Sequence, residues 1–361
     1  MGRGLMVAKT LAVIVAREKG EVVRRYLASI GALNHSLKIK SLNRKLAIPL
    51  SRQLSKIEEE GLSRICEIEV IEENFEERPC KPKSVLEWLS NKMPPHLLAS
   101  VPRSWDLIGD IAIVEVPDEL LGYEKLIAEA ILAVHKNVKS VYAKASPVSG
   151  NFRIRGLRLL GGEDKSVTIH KELGAKFYVN VKNVYFSPRL ATERKRIAEL
   201  VRDGEVVLDM FSGVGPFAIQ IALRRNVLVH AIELNPIAYE CLKRNIELNK
   251  VQEKVIPHLG DAKEVIEKEL VSKVDRVIMN LPESSLKFID SALKALRGKG
   301  VLHVYVFEEE PEPIKKAEEK VMREVEGRGW TVSKKLFTRL VKQVAPRRWQ
   351  VVVDLEVRRS S

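Results

Sequence analysis

The residues best suited to chemistry sit at the ends of short apolar runs in the second half of the chain. Val206-Val207-Leu208 closes on Asp209, and Phe211-x-Gly213-x-Gly215 then leads into Phe217-Ala218-Ile219. A buried strand, a glycine turn and a helix start together make a nucleotide pocket. Glycine lets the backbone come close to a ligand, and the helix start offers unpaired N–H groups. His230-Ala231-Ile232 ends in Glu233-Leu234, eighteen residues after Gly215, where a carboxylate can accept both hydroxyls of a ribose. Gly260-Asp261-Ala262 follows a third apolar run, and a fourth ends in Asn280-Leu281-Pro282-Glu283. Singly, each reads as a cap or a turn: Asp261 as a helix N-cap, Pro282 as a breaker. Four of them in register on four successive strands define a rim at the carboxyl ends, where open parallel sheets bind ligands. Gly213-x-Gly215-x-x-Ala218 also fits a dinucleotide fingerprint, so on this stretch alone an NAD-dependent oxidoreductase stays open.

A doubly wound sheet is needed to hold these groups. Strands are expected at Val206–Asp209, Val227–Glu233, Val255–Leu259 and Val274–Asn280, with helical patterns at Ile237–Asn249 and Ala262–Leu270 between them. The tail departs from that alternation. Val301–Phe307 reads as a strand and Pro313–Gly327 as a helix, and Thr331–Leu340 with Trp349–Leu355 reads as an antiparallel hairpin. Upstream, Thr10–Ala16, Lys19–Ile30 and Leu37–Pro49 suggest a small α/β module. The acidic run Glu72-Glu73-x-x-Glu76-Glu77 with Pro79 and Pro82 reads as a linker, placing a boundary near Cys80. A second module follows, and in it Gly150–Arg158 alternates Arg153, Arg155 and Arg158 with apolar residues, as on a strand with one basic face. A solvated strand would show the same pattern, but three guanidiniums on one side also make an anion-facing ribbon.

Composition sets the bounds. The 361 residues are 45% hydrophobic and 30% charged, as in a folded globular chain. The net charge of +13 is unevenly spread: residues 1–50 carry ten Lys/Arg against two acids, and residues 151–200 eleven against five. Two such patches favour a polyanionic partner, most plainly nucleic acid. Leu11–Ala16 is too short to span a bilayer, so no membrane role and a cytoplasmic location are expected. Cys66, Cys80 and Cys241 are odd in number and scattered, which suggests neither a disulfide framework nor a zinc site.

The order D-x-F-x-G-x-G, an acid after the second strand, Asp after the third and N-L-P after the fourth resembles class I S-adenosylmethionine-dependent methyltransferases. The N-L-P form, with an amide oxygen and a proline beside the reacting atom, resembles enzymes that methylate a nitrogen of a base. Three further stretches, Ser104–Ala112, Phe152–Arg155 and Tyr185–Arg194, are similar to the archaeal and eukaryotic tRNA (guanine-N1)-methyltransferases. Those enzymes act on the guanosine 3′ of the anticodon, position 37.

The resemblance implies an α/β architecture: a Rossmann-like class I methyltransferase domain over 176–361, preceded by two smaller α/β or α+β domains. Residues 1–80 would be a basic tRNA-docking domain with its linker, and 81–175 a middle domain carrying the Arg-rich strand. It further implies that Glu193 is the general base for the N1 proton and that Arg153, or Arg155 on the same face, stabilises O6. Arg194 would hold Glu193 or the methionine carboxylate. The S-adenosylmethionine site would comprise Tyr185, Arg189, Arg194, Asp209, Phe211, Gly213, Gly215, Glu233, Leu234, Asp261, Ala262 and Asn280. Glu233 stands where many relatives have Asp. Asn280 and Pro282 would orient the methyl donor and flank the guanine. Mg²⁺ assisting deprotonation is compatible with this chemistry, although no dedicated cage is marked. The implied partner is tRNA, gripped at its anticodon stem-loop and outer corner by a monomer. Within the same family, C-methylation of a tricyclic guanosine derivative and aminocarboxypropyl transfer are alternatives. A non-catalytic RNA-binding protein is the remaining one.

Overall fold

The computed structural model describes residues 7–78, 82–146, 150 and 152–360. The chain divides into two compact units, Met1–Lys83 and Ser84–Ser361. The boundary expected near Cys80 falls on residues outside those described, as does Pro79.

In the first unit, β1 (Val7–Ala16), α1 (Gly20–Ser29), β2 (Lys40–Leu42), β3 (Lys45–Pro49), α2 (Lys56–Ser63) and β4 (Glu69–Glu76) build a sheet of order β2-β3-β1-β4. Val13, Val15, Val23, Leu27, Ile48 and Leu62 form its core. Helix α2 begins with a capping box, in which Ser55 and Glu58 satisfy each other's backbone N–H. The acidic run expected to be a linker is strand β4, paired antiparallel with β1 along its length. The glutamates are tolerated because they face outward, where Glu72, Glu73 and Glu76 pair with Lys9, Lys40 and Lys38, while Phe75 is buried. Part of the basic excess of residues 1–50 is thus neutralised inside its own unit.

The second unit opens with α3 (Val85–Leu89) and α4 (Pro95–Leu98), then β5 (Asp106–Ile108), β6 (Ile111–Val114), α5 (Glu124–Val134), β7 (Ser140–Lys144) and β8 (Leu157–Gly162). The four strands form one sheet in sequence order, with the β6–β7 pair parallel across α5. The Arg-rich ribbon is a correction. The strand begins at Leu157, with an isolated bridge at Ile154, and Arg153 has φ +54°, so its left-handed backbone interrupts any strand there. An alternating strand needs a buried face, and Phe152, on the apolar side of the pattern, is 44% exposed. Arg158 is on β8 and pairs with Glu124, away from the other two.

Next come the hairpin β9 (Val167–Glu172) and β10 (Ala175–Asn180), then α6 (Ala191–Leu200). A boundary at 175/176 falls inside this hairpin. The remaining elements are β11 (Val206–Asp209), α7 (Pro216–Arg224), β12 (Leu228–Glu233), α8 (Pro236–Leu248), β13 (Val255–Leu259), α9 (Ala262–Val265), β14 (Val274–Met279), α10 (Ile289–Ala295), β15 (Leu296–Glu309), α11 (Pro313–Glu326), β16 (Trp330–Ala345) and β17 (Arg348–Arg359). They form a seven-stranded sheet of order β13-β12-β11-β14-β15-β17-β16. The first five strands are parallel and the last two antiparallel, so the terminal hairpin stands as expected. Separate hydrophobic clusters cover the two faces of the sheet. Gly215 starts α7 at φ +87°, and a Cβ there would lie 2.4 Å from Leu242 Cδ1. Only glycine lets α7 pack this close to α8. Among the described residues no helix is long and apolar enough to cross a membrane.

Candidate active site

A cavity of about 680 Å³ opens where the parallel strands β11 to β14 end, within the range usual for small-molecule sites. Twelve expected site residues line it: Arg153, Tyr185, Arg189, Arg194, Phe211, Gly213, Glu233, Leu234, Asp261, Ala262, Asn280 and Pro282. Asp209, Gly215 and Glu193 do not, the first two lying in the strand end and helix start beneath.

The rim is built from strand ends held by their own backbone. Glu233 accepts from the N–H of Gly213 and of Asn235, both at 2.7 Å. Burial pushes its carboxyl up, and those amides oppose the shift without cancelling it. Asp261 caps α9 through the Lys263 N–H at 2.8 Å while lining the cavity, so the cap and the site role coexist in one residue. Phe211 meets Phe288 edge-on at 4.9 Å and gives the cavity an apolar wall. Asp209 is fully buried, and its oxygens complete no hydrogen bond. Burial drives its carboxyl up to about 7, the Phe211 and Ala218 amides pull it down, and Glu233 adds a further push up.

Cations occupy the other wall. Arg153 stacks its guanidinium 5.1 Å from the Tyr185 ring centroid, and its Nε and Nη1 have no partner among the described residues. Arg155 Nε is likewise unspent, and both arginines line the cavity. Lys342 donates to Tyr185 Oη at 3.3 Å. Burial would raise the Tyr185 phenol, but the charges of Lys342 and Arg153 outweigh it and bring the phenol below its ordinary value. Arg194 is buried against Glu172 at 2.5 Å and the Ser187 carbonyl at 2.7 Å, leaving Nε unpaired. It does not hold Glu193; that part of the expectation is corrected. Arg189 pairs with Asp106 of β5 at 2.7 Å, tying the two sheets together at the cavity mouth.

Glu193 is not brought to Arg153. It lies 1% exposed on α6, with Oε1 taking Arg196 Nη2 at 2.6 Å and Tyr305 Oη at 2.7 Å, and Oε2 taking Arg339 of β16. Burial raises its carboxyl, but the two arginines and the phenol bring it below the ordinary range. The pairing continues inward: Arg196 to Asp354 at 2.5 Å, Asp354 to His303 at 2.7 Å, and His303 to Arg276 at 2.8 Å.

A ribose-bearing cationic ligand fits these groups. Glu233 suits a diol, and the orphaned Nε of Arg194 suits a carboxylate. Residues 168–332 match the TRM5/TYW2 methyltransferase domain, 85–165 the TYW2 N-terminal domain, and 12–58 the tRNA methyltransferase 5 N-terminal domain. The tRNA (guanine(37)-N(1))-methyltransferase Trm5b of Pyrococcus abyssi is 41% identical over 348 residues, 96% of this chain and 99% of that protein. The chain belongs to the TRM5/TYW2 methyltransferase family. A solved complex of aTrm5 with tRNALeu superposes at TM-score 0.77 and 35% identity, covering 96% of this chain and 99% of that one. Methanocaldococcus jannaschii TYW2 in complex with AdoMet superposes at TM-score 0.55 and 31% identity, over 71% of this chain and all of that one.

Membership of the TRM5/TYW2 family makes the chain a methyltransferase with the α/β fold expected, and it removes the nicotinamide oxidoreductase reading of the glycine turn. Sequence reasoning missed the wall that this family member draws from its terminal hairpin. Lys342, Gln343, Arg348 and Gln350 all line the cavity. One signal was present: Gln350 and Asp354 are polar residues inside the apolar run Trp349–Leu355, and both are buried. A buried polar group in a strand needs a partner: Gln350 finds the site residue Asn280, and Asp354 finds Arg196, which holds Glu193.

Proposed function

We propose that this chain transfers a methyl group from S-adenosylmethionine to N1 of guanosine 37 in tRNA. The observation that carries the reading is the pair of unspent guanidiniums, Arg153 and Arg155, facing a carboxylate-lined nucleotide rim across one cavity. Bound S-adenosylmethionine supplies an electrophilic methyl group. Glu233 is assigned to the ribose hydroxyls, Asp261 to the adenine amino group and Arg194 Nε to the methionine carboxylate. Guanine N1 carries a proton and is a poor nucleophile, so transfer needs a proton acceptor at N1 and a cation at O6. Arg153, whose Nε and Nη1 are uncommitted, is assigned to O6.

Glu193 is assigned the proton. Its low proton affinity keeps it ionised, which a base requires, but Arg339 must first give up its oxygen. Arg339 shares β16 with Lys342 and Gln343 of the cavity wall. A phosphate brought along that strand competes for the guanidinium and leaves Glu193 Oε2 with the longer contact from Arg196 Nε at 3.1 Å. Among the described residues no group of three or more His, Cys, Asp or Glu is placed to hold a metal. A Mg²⁺ assisting deprotonation would therefore take most of its ligands from water and RNA. The first unit is assigned to the tRNA outer corner and the second to the anticodon stem-loop, with the enzyme a cytoplasmic monomer. Methyl transfer is favoured over aminocarboxypropyl transfer by the first unit, which matches the tRNA methyltransferase 5 N-terminal domain.

The test is nucleoside mass spectrometry of tRNA transcripts after incubation with enzyme and donor, with guanosine or the tricyclic derivative at position 37. 1-Methylguanosine is expected from the guanosine transcript. Glu193→Gln and Arg153→Lys should each lower its rate by about 10²–10⁴-fold, the range for a lost acid–base or oxyanion group. Product on the tricyclic transcript alone would refute the reading.

A further inference from the structure

Asn280 follows β14 and lines the cavity, yet its amide oxygen is already taken. Gln350 Nε2 donates to Asn280 Oδ1 at 3.0 Å. Gln350 is 2% exposed near the start of β17, opposite Phe307 of β15 and Lys342 of β16. Backbone pairing on both sides fixes where its side chain starts. The N-L-P pattern had suggested an amide oxygen beside the reacting atom. A primary amide has one oxygen and one NH₂ group. With the oxygen turned to Gln350, the two N–H donors remain for the cavity.

We propose that Gln350 is a positioning residue: it turns the Asn280 amide so that NH₂ faces the base, which makes the site selective for a purine bearing an acceptor beside the methylated nitrogen. The inference rests on the function proposed above. Guanine N1 is flanked by the acceptor O6 and the donor N2 amino group, whereas adenine N1 is flanked by the N6 amino donor. A donor at Asn280 therefore reads O6 alongside Arg153 and opposes the adenine N6 amino group. Sites built to hydrogen-bond one substrate group reject analogues that leave a buried partner unpaired.

Two variants of the full-length chain test this. In Gln350→Glu the carboxylate only accepts, so it draws Asn280 Nδ2 and turns the carbonyl into the cavity. Gln350→Met keeps the volume but removes the hold on either orientation. Each is compared with the parent in single-turnover methyl transfer at pH 8, using transcripts with guanosine or adenosine at position 37. S-adenosylmethionine affinity and thermal melting are measured alongside. For Gln350→Glu the guanosine rate should fall about 10–100-fold and the guanosine-over-adenosine preference should shrink at least tenfold, a loss of preference that weaker donor binding alone does not produce because both transcripts share the donor. Gln350→Met should lose about 3–10-fold on guanosine and keep its melting temperature. A Gln350→Glu enzyme with the parent rate and preference would show the amide turned the other way and overturn the proposal. So would a Gln350→Met enzyme at full rate, which covers the case in which Gln350→Glu does not fold. A parent that binds the donor but methylates no guanosine would instead defeat the functional reading itself.

Discussion

Asp209 offers a test whose sign changes with pH. Its carboxyl is fully buried, its oxygens complete no hydrogen bond, and it is raised from the usual 3.8 to about 7. A carboxyl with a raised folded-state value costs nothing below its unfolded value and carries its full ionisation penalty above its folded one. The native chain should thus lose stability as pH rises from about 4 through about 7. Each pKa unit corresponds to about 1.4 kcal/mol, which sets a ceiling of about 4 kcal/mol at pH 8. Asp209→Asn removes that penalty at every pH, but buries an amide donor without a partner, at a cost of about 1–3 kcal/mol. The variant should therefore be more stable than the parent by about 1–3 kcal/mol at pH 8, and less stable than the parent at pH 4, where the penalty is below about 1 kcal/mol. Urea titrations of the full chain followed by circular dichroism, without added S-adenosylmethionine, measure both differences. Equal differences at the two pH values would refute the argument, because only a titrating, desolvated carboxylate makes the sign depend on pH.

Two further expectations follow from ion pairs made and not made. Glu172→Gln leaves the buried Arg194 guanidinium without its counter-charge, so the urea midpoint should drop by the equivalent of about 3–5 kcal/mol; an unchanged midpoint would mean that Arg194 finds another anion. In the first unit Arg17, Lys19, Arg44 and Lys45 are exposed and make no ion pair among the described residues, unlike the lysines facing β4. Replacing all four by Glu should weaken tRNA binding and flatten its logarithmic salt dependence by up to about four, near one per lost phosphate contact. Filter binding between 50 and 200 mM salt would detect it, and an unaltered slope would remove these residues from the RNA interface.

The rim was legible because its signals are local. Strand β11, the glycine turn, Glu233, Asp261 and Asn280 each announce themselves within a few residues, and parallel topology fixes where they meet. The terminal hairpin was legible for the same reason, as two apolar runs close in sequence. Two errors share one cause. Glu72–Glu77 resembled a linker and Gly150–Arg158 a strand, because charge and alternation were read without knowing which face would find a partner. Lysines of β1, β2 and the chain leading into β2 make the acidic strand viable. Phe152, 44% exposed, gives the arginine ribbon no buried face to alternate against. Distant partnerships left no local trace. Nothing near Glu193 in sequence announces Tyr305 or Arg339, and nothing near Asn280 announces Gln350.

Three carboxylates near one cavity, two buried and Glu233 half-buried, show why position alone does not assign a role. Desolvation pushes all three toward the neutral form, and their fates diverge by what opposes it. Asp209 has amides that complete no hydrogen bond, the charge of Glu233 against it and a smaller pull from Arg194, and it rises to about 7. Glu233 is also raised, but it has two amide donors at 2.7 Å that oppose the rise. Glu193 pairs directly with two arginines, and it falls. A proton acceptor must be ionised before the reaction and basic during it, and a permanently clamped carboxylate meets only the first condition. Its two clamps differ: Arg196 is anchored a second time by Asp354, whereas Arg339 comes from β16 and is about one-third exposed. The cation best able to leave is therefore the one whose departure would raise the proton affinity of Glu193 when RNA arrives, and that asymmetry is what the proposed base depends on.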